Sequence, residues 1–482
     1  MPDLRPVLFI LGLLVAGLGV TMLVPAAVDA FAASLDWEVF IAGALIAIFV
    51  GGTLVLVNRS ERVLLDLRQG FLLTAAAWIV LPAFAAVPFI FGTADLRLVD
   101  AYFEAVSGLT TTGSTIMVGL DDMAFGILLW RALLQWIGGL GIIAMAITML
   151  PFLRVGGMQL FRMESSDRSA KMLPRPAQIV GGIGAAYLGL SAFCALSYWV
   201  AGMSGFEAVA HAMTTISTGG FSTFDSSIAA FDSALIDGVA VLFMLAGAIP
   251  FVLYVQALRG EPMFLVRDQQ VRTLVGGLVL VCAILTLWLS LTREIEVGLA
   301  VRYVVFNVVS VVTTTGFATA DYGLWGGFAL LTFFFLAFVG GCTGSTAGGI
   351  KIFRFIVGGV LLVAQLSRLA HPNTVFVRKF GGRPLTEDVI VSVIVFIFLY
   401  VATVAVLSIG LALQGLDFLT AASGAATAVS NVGPGLGPII GPAGSFALLP
   451  DGAKWMLSAG MLLGRLEFFT ILVMLTPAFW RS

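Results

Sequence analysis

Four short stretches share a pattern whose natural chemistry is coordination by backbone oxygen. They read EAVSGLTTTG at Glu104–Gly113, HAMTTISTGG at His211–Gly220, NVVSVVTTTG at Asn307–Gly316 and GAATAVSNVG at Gly424–Gly433. In register, each opens on a variable residue and passes through Ser107, Thr214, Ser310 or Thr427. Each closes on a small-residue run ending in Gly113, Gly220, Gly316 or Gly433, followed by Ser114, Phe221, Phe317 or Pro434. Glycine permits backbone geometries closed to other residues. A threonine–glycine run can therefore turn carbonyl oxygens toward an axis while its side chains pack behind. Four such runs would form rings of partial negative charge that replace the water shell of a bare monovalent cation. The C-terminal ends of the preceding helical stretches would add negative potential. A single TTTG is a tight turn between packed helices. Four aligned copies at domain-like spacing indicate one unit used four times.

Other chemistry is poorly provided for. No carboxylate stands in the four final runs, which disfavours a divalent site. Glu104 either faces the mouth of such a ring or packs behind it, its place being taken by His211, Asn307 and Gly424 in the other copies. The only histidines are His211 and His371, and no Cys/His cluster accompanies either, so a metal site is rejected. Cys194, Cys282 and Cys342 sit in or beside apolar segments and read as small buried hydrophobes.

The elements that position these stretches must lie in lipid. The chain is 60% hydrophobic and 11% charged, with a mean hydropathy of +1.06. Soluble domains carry about 25% charged residues. Spans need about 20 apolar residues. Two leading spans fall near Val7–Val24 and Val39–Val57. Each echo is then flanked by a pair: Leu72–Phe91 and Phe125–Leu150, Ile179–Val200 and Leu235–Leu258, Leu274–Leu291 and Gly326–Phe355, Ile390–Leu413 and Trp455–Phe479. The N-terminal apolar run reads as a retained span, not a cleaved signal. The result is an all-α polytopic membrane protein of four span–loop–span repeats around a central pathway, with two additional N-terminal spans. The boundaries are 1–69 for the leading spans and a linker, 70–153, 154–260 and 261–366 for the first three repeats, and 367–482 for a linker and the fourth.

Charge orients these spans. The segment Arg59–Arg68 and the linkers between repeats are basic, with Lys351 and Arg354 just before the last linker, and are cytoplasmic by the positive-inside rule. Both termini fall on that side and all four echoes enter from the other. The opposite connections carry acids such as Asp225, Asp237 and Asp451, which would draw in cations. Arg154–Pro176 is expected to hold a short interfacial stretch, and Ser367–Asp388 is either a solvated loop or a docking surface.

Two further places stand out. Val339–Phe355, VGGCTGSTAGGIKIFRF, interrupts the span after the third echo with Gly340, Gly341, Gly344, Gly348 and Gly349. That is too much glycine for a continuous helix. The other three following spans are not broken in this way. The segment is either a packing kink or a polar loop beneath the ring that blocks or opens the path. In the last span, Arg465 and Glu467 are costly in lipid. Two residues apart, they do not share a helix face.

At this point the chain resembles the Trk/Ktr/HKT superfamily of potassium transporters, most closely its bacterial TrkH branch. The resemblance runs through FEAVSGLTTTGST, HAMTTISTGGFST, SVVTTTGFATADY, NVGPGLG, GGCTGSTAGGIK and GRLEFFT. It implies a selectivity filter at Thr111, Thr112 and Gly113; Thr218, Gly219 and Gly220; Thr314, Thr315 and Gly316; and Asn431, Val432 and Gly433. It implies an intramembrane gate at Gly340, Gly341, Cys342, Thr343, Gly344, Ser345, Thr346, Ala347, Gly348 and Gly349, and a pore-facing Arg465. Cys342 and Thr343 depart from the family's usual smaller residues. The resemblance further implies potassium uptake across the bacterial inner membrane, with potassium as cargo and no cofactor. It also implies a homodimer and a cytosolic ring of nucleotide-binding regulatory subunits, with no nucleic acid partner. Sodium-permeable or proton/sodium-coupled transport is the alternative within transport. A membrane-embedded enzyme is the alternative from another class. It would need converging nucleophile, base or metal ligands, and the two histidines fall on opposite sides of this topology.

Overall fold

The computed structural model describes residues 3–59, 65–148, 176–373 and 376–481. The interfacial stretch expected within Arg154–Pro176 lies outside them. Two leading helices, Arg5–Phe31 and Asp36–Val57, pack closely because glycines line their contact. A Cβ at Gly12 would lie 2.7 Å from the Gly51 carbonyl oxygen, and one at Gly19 would lie 2.9 Å from that of Ala44. Small residues replace the hydrophobic effect as the glue between helices in lipid, because lipid tails are as apolar as leucine.

Each repeat is a leading helix, a short helix and a following helix. The first runs Leu67–Ala85 with Val87–Phe91, then Leu98–Leu109, then Phe125–Thr148. The second runs Pro176–Val200, Gly205–Ile216, and Ala234–Ala248 with Phe251–Leu258. The third runs Gln269–Arg293, Val297–Val312, and Gly327–Leu336 with Ile352–Ala370. The fourth runs Glu387–Leu413, Phe418–Ser430, and Asp451–Arg465 with Phe469–Leu472. By length and composition, 8 of the described helices can cross a membrane, or up to 10 with each bent pair counted as one span.

The following spans of repeats two and four, expected at Leu235–Leu258 and Trp455–Phe479, are interrupted too, though not by a glycine cluster. The second bends by 94° between Ala248 and Phe251, and the fourth bends by 101° between Arg465 and Phe469. Pro250 explains the first bend, since it cannot continue the hydrogen-bond ladder. At the second, Glu467 and Phe468 adopt φ of 55° and 44°, with neither proline nor glycine between Arg465 and Phe469. The span expected at Gly326–Phe355 is also redrawn: Ile352–Ala370 is the helix long enough to cross, and Gly327–Leu336 is a shorter helix before the glycine-rich loop. In the linker expected at Ser367–Asp388, Lys379–Phe380 and Arg383–Pro384 form a small antiparallel hairpin. The hairpin is docked: Phe380 meets Phe353 at 5.0 Å between ring centroids, and Gly381 N–H donates to Gln269 Oε1 at 3.0 Å.

Many acids read as a cation-attracting surface are committed to structure. Asp29 Oδ1 accepts from Gly126 N–H at 2.6 Å, so the first leading helix caps the following helix of repeat one. Asp225 accepts from Gly119 and Leu120 N–H. Asp237 pairs with Arg302, joining repeats two and three, and Asp451 with Arg97, joining four and one.

Glu104 settles as a packing residue. Its carboxylate meets Arg131 Nε at 2.9 Å, and the two side chains are 0% and 1% exposed. Arg131 also donates to the Ser222 carbonyl and lies 4.1 Å from the Phe221 ring centroid, so the pair ties repeat one to repeat two. Breaking a buried pair from one side leaves an uncompensated charge. Arg131→Met should therefore cost about 3–5 kcal/mol, read as a lowered thermal unfolding midpoint in detergent. Arg131→Met with Glu104→Gln should recover part of that loss. A double variant no more stable than Arg131→Met would contradict this account.

Candidate ion pathway

All four short helices end in the same way inside the protein. The N–H of Thr112, Gly219, Thr315 and Val432 donates to the carbonyl of Ser107, Thr214, Ser310 and Thr427 at 2.9, 2.8, 2.8 and 3.1 Å. The preceding residue, Thr111, Thr218, Thr314 or Asn431, sits at φ of 52°, 51°, 58° or 55°. This is a Schellman C-cap with a left-handed residue. Three of the four are threonines, for which a left-handed backbone is strained. The glycine two positions on is left-handed again, at φ of 86°, 78°, 84° and 110° for Gly113, Gly220, Gly316 and Gly433. The fourth copy, the least similar in sequence, follows the same backbone path.

Those glycines bring the four runs together. A Cβ at Gly113 would overlap the Gly219 carbonyl oxygen, one at Gly220 that of Thr315, and one at Gly316 that of Val432. A Cβ at Gly433 would lie 2.9 Å from the Thr112 carbonyl oxygen. Each glycine thus abuts the middle carbonyl of the next repeat, and the fourth returns to the first. Ser114 Oγ reinforces the closure by donating to the Gly433 carbonyl at 2.7 Å, and Asn431 Nδ2 donates to Thr112 Oγ1 at 2.9 Å. Gly113, Gly220, Gly316 and Pro434 all line one outer cavity of about 220 Å³.

The variable opening residue has a common task. Glu104 accepts from Thr115 Oγ1 and Ile116 N–H, His211 Nε2 pairs with Ser222 Oγ, and Asn307 Nδ2 donates to Thr319 Oγ1. In the fourth copy, where Gly424 has no side chain, Ser423 Oγ accepts from Leu436 N–H instead. Each bond ties a short helix to the limb beyond its glycine. His211 is therefore a hydrogen-bonding residue.

The glycine-rich loop lies against the inner ends of three repeats. Gly348 N–H donates to Thr314 Oγ1 at 2.8 Å, and Gly349 N–H to the Ser430 carbonyl at 2.9 Å. Thr346 Oγ1 shares its one proton between the carbonyls of Ile216 and Gly247, each at 3.0 Å, and Cys342 N–H donates to that of Ala248 at 2.9 Å. The carbonyls of Gly247 and Ala248 are free to accept because the helix stops before Pro250. Thr343 N–H donates to Gln270 Oε1 at 3.0 Å, on the side facing the leading helix of repeat three. Cys342 is buried and Thr343 is half-buried. Gly340, Gly344 and Gly349 take φ of 77°, 87° and 72°, which accounts for glycine at those places.

Arg465 Nη2 donates to the Thr346 carbonyl at 3.0 Å, while its buried Nε has no hydrogen-bond partner among the described residues. Glu467 does not pair with it. The Glu467 carboxylate sits between Lys351 at 3.2 Å and Arg354 at 2.8 Å. Lys351 and Arg354, read from sequence as part of the basic cytoplasmic flank, are thus buried residues that hold the fourth following helix at its bend. Arg354 also stacks 3.5 Å from the Phe396 ring centroid.

The sequence profile of a family described as cation transport proteins, TrkH, matches residues 37–482. The chain belongs to the TrkH family. It is 52% identical over 415 residues to the Trk system potassium uptake protein TrkI of Halomonas elongata, covering 86% of this chain and 84% of that protein. It is 38% identical to the Trk system potassium uptake protein TrkH of Escherichia coli, over 99% of both chains. The crystal structure of the potassium transporter TrkH from Vibrio parahaemolyticus superposes with a TM-score of 0.92 at 36% identity, covering 100% of both chains. The TrkH fold with its extra N-terminal spans is therefore the fold of this chain. Membership of the TrkH family answers the enzyme alternative: the protein is a transporter. It also supports a regulatory partner subunit in a membrane setting.

Gly119 and Gly220 share a φ of 78°, but a Cβ at Gly119 meets nothing within 4 Å. Gly119→Ala should cost only the strain of a left-handed L-residue, about 1–2 kcal/mol. Gly220→Ala should add displacement of the Thr315 carbonyl and abolish most cation flux in vesicles. Equal flux in the two folded variants would separate these carbonyls from the pathway.

Proposed function

We propose that this protein takes up potassium across the bacterial inner membrane, down its electrochemical gradient. The observation that carries this reading is the closure of four glycine–carbonyl contacts in chain order. In this reading Thr111–Gly113, Thr218–Gly220, Thr314–Gly316 and Asn431–Gly433 are the selectivity filter. Their carbonyls replace the ion's water shell, with no covalent chemistry and no cofactor. The short helices direct their C-terminal dipoles at the ion. Thr111 Oγ1 is buried without a hydrogen-bond partner among the described residues, which suits a further oxygen ligand at the inner end. The names of the relatives support potassium over sodium as the cargo.

Gly340–Gly349 is the gate in this reading. Its hydrogen bonds to Thr314, Ile216 and Ser430 hold it directly inside the filter, and Arg465 fastens it from the fourth repeat. A guanidinium stays charged in such a place. It therefore opposes a passing cation while it secures the closed loop. The repeats act as units bounded by 70–153, 154–260, 261–366 and 367–482, with both termini in the cytoplasm. Two such chains form a dimer, and a cytosolic ring of nucleotide-binding subunits controls the loop.

Reversal potentials in liposomes under opposed potassium and sodium gradients test the cargo. The expected potential follows potassium. A potential that follows sodium or the proton gradient would instead support the sodium-permeable or coupled reading. Arg465→Ala should raise flux per molecule with the potassium-to-sodium ratio preserved. Calibrated flux on equal amounts of folded protein checks it, and unchanged flux would place Arg465 outside the gate.

A further inference from the structure

Gln135 takes no part in the reading above, yet it reaches one of the ring oxygens. It is 0% exposed on the following helix of repeat one, one turn beyond Arg131. Its amide crosses to repeat two. Nε2 donates to the Gly219 carbonyl oxygen at 2.6 Å, and Oε1 accepts from Phe221 N–H at 3.0 Å. A carbonyl on one side and an N–H on the other fix the orientation of the amide. Among the described residues, no hydrogen bond reaches the equivalent carbonyls of Thr112, Thr315 and Val432. Among the described residues, the ring of middle carbonyls thus has one oxygen held by a side-chain amide and three without such a bond.

The residue at position 219 gives independent support. The middle position of the run is Thr112, Thr315 or Val432 in the other repeats and glycine only here. Gly219 is absent from the left-handed glycines, so its backbone does not require glycine. What requires it is room. A Cβ at Gly219 would lie 2.5 Å from Gln135 Oε1 and 2.8 Å from Nε2. Glycine at 219 and glutamine at 135 are one device: the missing side chain makes space for an amide that grips the backbone.

We propose that Gln135 is a positioning residue for cation selectivity, acting by fixing the Gly219 carbonyl. This rests on the filter reading given above. An unrestrained carbonyl can swing inward and close on a smaller ion. A carbonyl held by a buried amide cannot follow a sodium ion inward without giving up that hydrogen bond. One anchored oxygen among four therefore penalises the smaller cation more than potassium. The anchor comes from a neighbouring repeat, so it also holds the repeat one–repeat two boundary at the depth of the ring, below the Arg131–Glu104 pair.

Permeability ratios in liposomes reconstituted with the full-length protein test this. Gln135→Met keeps the volume and removes the amide. It should lower the potassium-to-sodium ratio about five- to tenfold, the size of one buried hydrogen bond. Gly219→Thr should lose selectivity by colliding with Gln135. Gln135→Ala with Gly219→Thr should exceed Gly219→Thr alone, because the alanine vacates the space the threonine needs. A folded Gln135→Met variant with the parent ratio overturns the proposal. So does a Gly219→Thr variant that behaves the same with and without Gln135→Ala, including the case where neither is recovered folded. Gly316→Ala separates the two layers of the argument. If Gly316→Ala lowers the ratio and Gln135→Met does not, only the positioning role falls. If neither lowers it, the filter reading falls as well.

Discussion

The structure depends on one constraint: four helices stop inside an apolar layer, and the backbone groups at each stop need partners. Water cannot supply them at that depth, and an unpaired buried carbonyl costs free energy comparable to a lost hydrogen bond. Each stop is solved locally by the same C-cap, which returns two N–H groups to the helix end. That cap turns the next carbonyls outward, away from their own helix. They are tolerated only because four copies face one another around a common centre. A single copy would strand polar backbone in lipid, so the repeat number and the pathway have one physical cause.

Fourfold geometry at the ring coexists with marked asymmetry below it. The following helices of repeats two, three and four are all interrupted, each for a different reason. Pro250 stops one, glycines open the second into a loop, and the pull of Lys351 and Arg354 on Glu467 accompanies the third bend. These interruptions depend on one another. The carbonyls freed before Pro250 receive the N–H and hydroxyl groups of the loop. Lys351, just before the loop's following helix, and Arg354 within it hold Glu467, and the residue two before Glu467, Arg465, binds the loop. The first following helix is unbroken through the ring's depth and instead carries Arg131 and Gln135, which grip repeat two from the side.

Much of this was legible in the sequence because it follows from composition and register. Low charge and long apolar runs required a membrane protein, and the recurring Ser/Thr-to-Gly stretches located the four stops. The register drawn through Ser107, Thr214, Ser310 and Thr427 is the register of the caps, including the divergent fourth copy. The five glycines of Val339–Phe355 marked the loop. Pro250 is a readable signal of the second repeat's break, since a proline after Gly247 in an apolar span argues for one.

What the sequence could not decide was which distant side chains meet. Helix geometry keeps Arg465 and Glu467 apart, but in sequence Lys351 and Arg354 look like cytoplasmic cations because charge alone carries no depth. Glu104, His211 and Asn307 differ in type, and their shared bridge appears only when the limb beyond each glycine folds back. Gln135 gave no signal at all, being one polar residue in an apolar helix whose partner lies in another repeat. The sequence by itself determined the membrane class, the four stops and the glycine-rich interruption, since these depend on local backbone chemistry and periodicity. Tertiary structure alone decided the cyclic order of contacts, the partners of the buried charges and the one anchored carbonyl, because those interactions join residues that are close in space and distant along the chain.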